Sequence, residues 1–201
     1  MPLSEAELRA RLADPARLSR AAPSSSDDAE RARGAAPGGR LVHAAVLVPI
    51  LAGARPSVLL TLRSGGLNAH AGQVAFPGGR IEPGESPEQA ALREAAEEVG
   101  LDPAAAALIG RLPEHLTGTG YRVTPIVATL APPEAWRPDP GEVAEVFEYP
   151  LATLLDDAAP RRERAVLMGR EREYWVWPHE RHFIWGATAA ILVNLARTLR
   201  G

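Results

Sequence analysis

Apolar positions along the chain fall into two rhythms, one of strands and one of helices. LVHAAVLVPIL (41–51) reads as a buried strand, AGARP as a turn, and SVLLTLR (57–63) as a second strand, which together predict a hairpin. Residues 64–73 form a glycine-containing loop, and QVAFPGG (73–79) carries a further short strand. The spacing then turns helical: Leu92, Ala95 and Val99 share a face that packs into a core. Ser86 is a capping residue, Pro87 suits the first helical position, and Gln89 closes a capping box. Gly100 stops that helix with a left-handed cap. Downstream, Ala107–Leu112, Tyr121–Leu130 and Val143–Tyr149 read as strands, with a polar connector over 114–120 and a short helix from Leu151 to Leu155. Ala165–Met168 and Glu173–Val176 suggest a hairpin turning near Gly169-Arg170, and IWGATAAILVNLARTLR (184–200) a strongly amphipathic helix. Strands interrupted by one central helix and closed by a terminal one predict an α/β sandwich.

Upstream of this pattern, Leu3–Leu18 predicts one or two short helices broken near Asp14-Pro15. Ala21–Gly39, rich in Ala, Pro, Ser and Gly, reads as a linker or long surface loop. The expected organisation is an N-terminal helical segment with linker (1–39) and one domain (40–201).

Composition changes the picture mainly by exclusion. The net charge of −3 supplies no general basic field for nucleic acid. All 22 basic residues are arginines, which removes lysine Schiff-base and lysine general-base chemistry. Cysteine is absent, so disulfides, thiolate nucleophiles and cysteine-held metals are excluded. No apolar run is long enough to span a bilayer, and the N-terminal segment lacks the apolar core of a secretory signal. The expectation is a cytoplasmic protein without membrane contact.

The chemistry gathers on the central helix. Glu94, Glu97 and Glu98 lie three and four residues apart and share a face, where like charges repel unless a cation sits among them. A hard divalent ion held through oxygen ligands is the natural solution, and Mg²⁺ commonly serves phosphate chemistry. Arg93 is placed to pair with Glu85 of the preceding loop. A solvated acidic face is the ordinary explanation of such a cluster, but here the glycine loop, upstream glutamate, arginine and glycine stop accompany it. From Gly79 to Leu101 the chain resembles the Nudix box, G-x5-E-x7-R-E-U-x-E-E-x-G-U, with Ala95 a small occupant of the first aliphatic position. The resemblance implies a Nudix-type α/β/α sandwich with a mixed sheet and a central catalytic loop-helix. It implies Mg²⁺ or Mn²⁺ held by Glu94 and Glu98, joined by Glu97 and the Gly79 carbonyl. Arg93 would orient Glu94 or Glu85, and the general base would be Glu97, Glu98 or a carboxylate outside the box, with Glu142 and Glu145 the candidates.

A second signature lies just upstream. LLTLRSGGLNAHAGQVAFPGG (59–79) resembles the extra motif of the coenzyme A pyrophosphatase branch, LLTxRS-x3-R-x3-G-x3-FPGG, with Asn68 where that motif has its second arginine. GYRVTPIVATL (120–130), EVFEYPL (145–151) and IWGATAAIL (184–192) look like later blocks of the branch, so the resemblance runs from about residue 41 onward. It implies substrate contacts from Arg63, Ser64, His70, Gly72, Gln73, Phe76 and Gly78. The plainer alternatives are a strand-end surface arginine for Arg63 and a loop histidine bonded to backbone for His70. His43, His115, His179 and His182 complete no metal motif, and Trp175, Trp177 and Trp185 suit packing better than base stacking. Three functions follow: hydrolysis of coenzyme A or its thioesters, hydrolysis of another nucleoside diphosphate derivative such as ADP-ribose or NADH, or a silent nucleotide-binding regulator. The expected partner is a small nucleotide, and the chain a monomer or homodimer.

Overall fold

The computed structural model describes residues 3–20, 32–66, 71–167 and 170–200. Two helices come first, α1 (Glu5–Ala13) and α2 (Pro15–Leu18), divided at Asp14-Pro15 as the sequence predicts. Ser4 and Glu7 form a reciprocal capping box at α1, and Asp14 caps α2 with Pro15 in its first position.

β1 (Val42–Leu51) and β2 (Ser57–Arg63) begin as the predicted hairpin, but only Ile50 and Leu51 face Val58 and Ser57. Beyond that point the strands part. β3 (Val74–Ala75) pairs with β2 and β4 (Gly78–Arg80) with β1, so the 74–80 segment occupies the gap. The Leu47 N–H fixes the bend between them by donating to the Pro77 carbonyl at 2.8 Å. Helix α3 (Pro87–Val99) follows, then β5 (Ala107–Arg111), β6 (His115–Leu116) and β7 (Tyr121–Leu130), which runs parallel to β1 along its whole length. β8 (Val143–Pro150) lies antiparallel to β2, and α4 (Leu151–Leu154) turns the chain into a second sheet of β9 (Arg161–Leu167), β10 (Arg170–Trp177) and β11 (Ile184–Trp185). Helix α5 (Gly186–Leu199) closes the described chain.

Alternation along β1 and β2 sorts side chains into two cores. Ala45, Leu47 and Leu59 face α3, whose Ala91, Ala95 and Val99 are fully buried against them. Val48, Val58 and Leu60 face α5, packing with Ile191, Leu192 and Leu195. The result is the predicted mixed-sheet sandwich between helices. Leu8 and Leu12 of α1 belong to the α5-side core, so the N-terminal helical segment packs on the sandwich. Gly110 makes room there: a Cβ on it would stand 3.0 Å from the Leu12 Cβ.

Three further expectations are corrected. Ile184 and Trp185 are strand rather than helix, because they pair with Trp177 and Val176 before Gly186 turns the chain at φ 64°. The β9–β10 hairpin is longer than the apolar pattern suggested, since Arg162 and Arg164 both pair with Glu173 and carry strand structure beyond it. β6 is a two-residue strand inside the polar connector, too short to leave a periodic signal. Among the described residues no helix is long and apolar enough to cross a membrane.

Candidate active site

Helix α3 is built as its sequence dictates. The Ser86 hydroxyl accepts the Gln89 N–H at 3.2 Å, and the Gln89 carbonyl oxygen accepts the Ser86 N–H at 2.8 Å. Gly100 ends the helix in the left-handed region at φ 70°. There a side chain would also meet Arg137, whose Cβ would lie 2.8 Å from an added Cβ.

Arg93, midway along the helix, forms a clamp on the loop that precedes it. Its guanidinium grips Glu85 in bidentate fashion, at 2.7 Å to Oε1 and 3.0 Å to Oε2, and also reaches Glu94 at 3.0 Å, Glu97 at 3.2 Å and the Arg80 carbonyl at 3.1 Å. Glu85 further accepts the Glu82 N–H, which closes the loop on itself. The Arg93 hydrogen bonds, helped by that N–H, pull the Glu85 carboxyl down to about 2.

One turn further on the environment reverses. Glu98 is 2% exposed, and its two oxygens are held from two different strands, by Arg63 at 3.3 Å and by the Gly78 N–H at 3.2 Å. Burial pushes its carboxyl up to about 7, against the pull of Arg63 and Gly78, and repulsion from Glu142 and Glu94 adds to the rise. Burial also raises Glu94, Arg93 opposes it, and Glu97 and Glu142 reinforce it. Gly79 is the seat of Glu94: a Cβ there would fall 2.3 Å from Oε1. At Gly78 a Cβ would strike the Ala45 carbonyl oxygen at 2.4 Å, so the Phe-Pro-Gly-Gly glycines exist for close approach.

The sequence-predicted residues divide accordingly. Arg63, Gly78, Gly79, Glu85, Arg93, Glu94, Glu97, Glu98 and Glu142 come together. Glu97 is largely exposed and tied to Arg93. Gly72 and Gln73 act through backbone, the Gly72 N–H donating to the Arg63 carbonyl at 3.1 Å and the Gln73 carbonyl accepting the Arg63 N–H at 3.0 Å. Ser64 donates its hydroxyl to the Pro140 carbonyl and its N–H to the Glu142 carbonyl. Two expectations fail. Phe76 is 3% exposed within the α5-side core and presents no face to a ligand. Glu145 stands opposite Leu62 on the face of Phe147 and Tyr149, across the sheet from α3, where Arg181 and His182 engage it. His70 and Asn68 lie outside the described residues.

The sequence reading overlooked the 137–142 loop. Its Arg137 and Asp139 N–H groups donate to the Val99 and Glu98 carbonyls, each at 3.0 Å, capping the exposed end of α3. The Pro-Asp-Pro-Gly run (138–141) was the available signal for an ordered turn.

The donor set suits a hard divalent cation: carboxylates and backbone oxygen, with Glu94 and Glu98 both raised by burial and by neighbouring carboxylates, Glu142 acting on each. Among the described residues no three acidic or imidazole side chains form a ready-made metal cage. Glu94 and Glu98 are the residues that would hold such an ion.

A buried glutamate, Glu98, and a half-buried one, Glu94, stand beside an arginine-clamped glycine loop on a mixed-sheet sandwich. The chain belongs to the Nudix family: the NUDIX domain model matches residues 41–168. It is 44% identical over 155 residues to the uncharacterized Nudix hydrolase NudL of Escherichia coli K12, covering 77% of this chain and 81% of that one, and equally to NudL of Salmonella paratyphi B. Among solved structures it is similar to the Nudix hydrolase RenU of M. smegmatis, with 28% identity, a TM-score of 0.45 and coverage of 56% of this chain and 72% of that one. Nudix hydrolases act on nucleoside diphosphate derivatives and generally need divalent metal ions.

Proposed function

We propose that the protein hydrolyses the diphosphate bond of coenzyme A or its thioesters with Mg²⁺ or Mn²⁺, giving 4′-phosphopantetheine, or its acyl form, and adenosine 3′,5′-bisphosphate. The observation that carries this reading is convergence. The two ends of the coenzyme A-type motif, Arg63 and Gly78, hold the two oxygens of one Nudix-box carboxylate, Glu98. That shared carboxylate supports reading the motif and the box as one site.

Glu94 and Glu98 are the principal metal ligands, with Glu97 and the Gly79 carbonyl completing the set. When bound, the ion neutralises diphosphate charge and lowers the pKa of a coordinated water. Arg93 keeps Glu94 in place while Glu85 anchors Arg93 to the loop. Glu142, exposed and close enough to repel both Glu94 and Glu98, is the general base that takes a proton from the attacking water as the phosphoric anhydride P–O bond breaks. Ser64, Gly72 and Gln73 fix the end of β2 beside the site through the backbone they order.

Asn68, where the coenzyme A motif has arginine, favours a second reading, cleavage of another nucleoside diphosphate derivative such as ADP-ribose or NADH. Every box glutamate is present, which weighs against a silent nucleotide binder. Product analysis with Mg²⁺ or Mn²⁺ on coenzyme A, ADP-ribose, NADH and a nucleoside triphosphate separates these readings. Adenosine 3′,5′-bisphosphate released from coenzyme A at much the highest kcat/KM is the expected result. Preference for another diphosphate overturns the substrate and keeps the chemistry, and inactivity on all four removes the coenzyme A reading.

A further inference from the structure

The motif that suggests coenzyme A also suggests that its arginine binds substrate, yet Arg63 is already engaged. It stands at the end of β2 with its backbone fixed on both sides: its N–H donates to the Gln73 carbonyl and its carbonyl accepts the Gly72 N–H. A register shift against β8 falls between Leu62 and Arg63. Leu59, Thr61 and Arg63 alternate on one side of the strand, the side of α3, and from there the guanidinium reaches Glu98 at 3.3 Å. Ser64, the next residue, ties the same strand end to the 137–142 loop, and that loop caps α3 at the Glu98 and Val99 carbonyls. Thus β2 holds the catalytic turn twice, once through the Glu98 side chain and once through its backbone.

We propose that Arg63 is a positioning residue for Glu98, setting the direction in which this metal-ligand carboxylate presents its free lone pairs, and is not an anchor for substrate phosphate. A carboxylate has about four acceptor sites on its two oxygens, so contacts from Arg63 and the Gly78 N–H leave room for a cation on the same group. A partner outside the coordination shell that orients a ligand is worth roughly 10–100-fold in metal affinity or activity when removed. The inference rests on the diphosphatase reading above for its kinetic half only, since metal binding is measured without nucleotide.

The test compares Arg63→Gln and Arg63→Lys with the parent. Free Mn²⁺ is followed by electron paramagnetic resonance in a nucleotide-free titration, and kcat and KM are then measured on the best diphosphate substrate. Positioning requires that Arg63→Gln weaken Mn²⁺ binding about tenfold or more and lower kcat, with KM within about threefold of the parent. Arg63→Lys keeps the charge and recovers part of both losses. A KM rise of tenfold or more with Mn²⁺ binding and kcat intact would make Arg63 a substrate anchor and overturn the proposal. Arg63→Lys keeps the test decisive if the glutamine variant fails to fold, because a lysine variant with parental Mn²⁺ affinity and a raised KM gives the same refutation. If the parent cleaves no diphosphate offered, the function falls while the Mn²⁺ comparison still decides the role of Arg63.

Discussion

Glu85 and Glu98 are the same residue type, thirteen positions apart, each facing an arginine, and their environments drive them in opposite directions. Glu85 meets Arg93 edge to edge in a half-buried pair, takes a backbone N–H as well, and is held down at about 2. Glu98 meets Arg63 through one longer contact in a nearly dry site, with Glu94 and Glu142 nearby, and is pushed up to about 7. An arginine does not by itself decide what a carboxylate becomes. Geometry and burial do. The first pair is a fastening that shapes the loop before α3, while the second leaves negative charge under-compensated where a divalent cation is to bind.

The strongest way to break this contrast is Glu98→Gln. The fold persists, since the amide keeps the size of the carboxylate and its one oxygen still accepts from either Arg63 or the Gly78 N–H, while kcat falls by about two orders of magnitude or more, as for other charge-stabilising groups. Steady-state kinetics and circular dichroism on one preparation check both halves. A smaller effect sharpens the electrostatics. In the native protein Glu98 binds its proton more tightly than in the unfolded chain, where its carboxyl has its ordinary value of 4.5. The Glu98 contribution to wild-type stability therefore declines as pH rises from about 4.5 to about 7 and levels off above that. Glu98→Gln lacks this penalty, so in chelator it should gain on wild type across the same window, by on the order of 3 kcal/mol at pH 8 in denaturant melts.

Arg93→Gln acts on the other region. It strips Glu85, Glu94 and Glu97 of their shared partner and should cost about 1.5–3 kcal/mol of stability by urea unfolding, as expected for hydrogen bonds to charged groups. The smallest effect belongs to Gly79→Ala. The atoms nearest the added Cβ are those of the Glu94 carboxylate, the far end of a flexible side chain, so kcat should fall about tenfold while stability stays within about 0.5 kcal/mol.

The contrast also marks what a sequence discloses. Helix α3 was legible almost to the residue because its signals are local: a capping box, a proline at the first position and a left-handed glycine. The Arg93–Glu85 clamp was legible for a similar reason, a fixed offset between loop and helix. The Arg63–Glu98 contact was not, since it depends on β2 and α3 meeting through the gap that 74–80 fills. Phe76 was misassigned because its motif suggested ligand contact, whereas an aromatic ring beside a glycine loop has more to gain from the core. Glu145 could have been set aside from the strand pattern that follows it. It shares the strand face of Phe147 and Tyr149, two and four residues on, and those apolar positions mark the core side rather than the α3 side. Leu8 and Leu12 carried the helical spacing that seats α1 in the core, but spacing does not say against which surface.

The most direct test of the division between fastening and cation site is a nucleotide-free Mn²⁺ titration of wild type, Glu98→Gln and Glu85→Gln, read by electron paramagnetic resonance. Binding weakened at least about tenfold in Glu98→Gln, and by less than about threefold in Glu85→Gln, is the predicted result. Equal affinity in all three proteins, or the larger loss in Glu85→Gln, would contradict it.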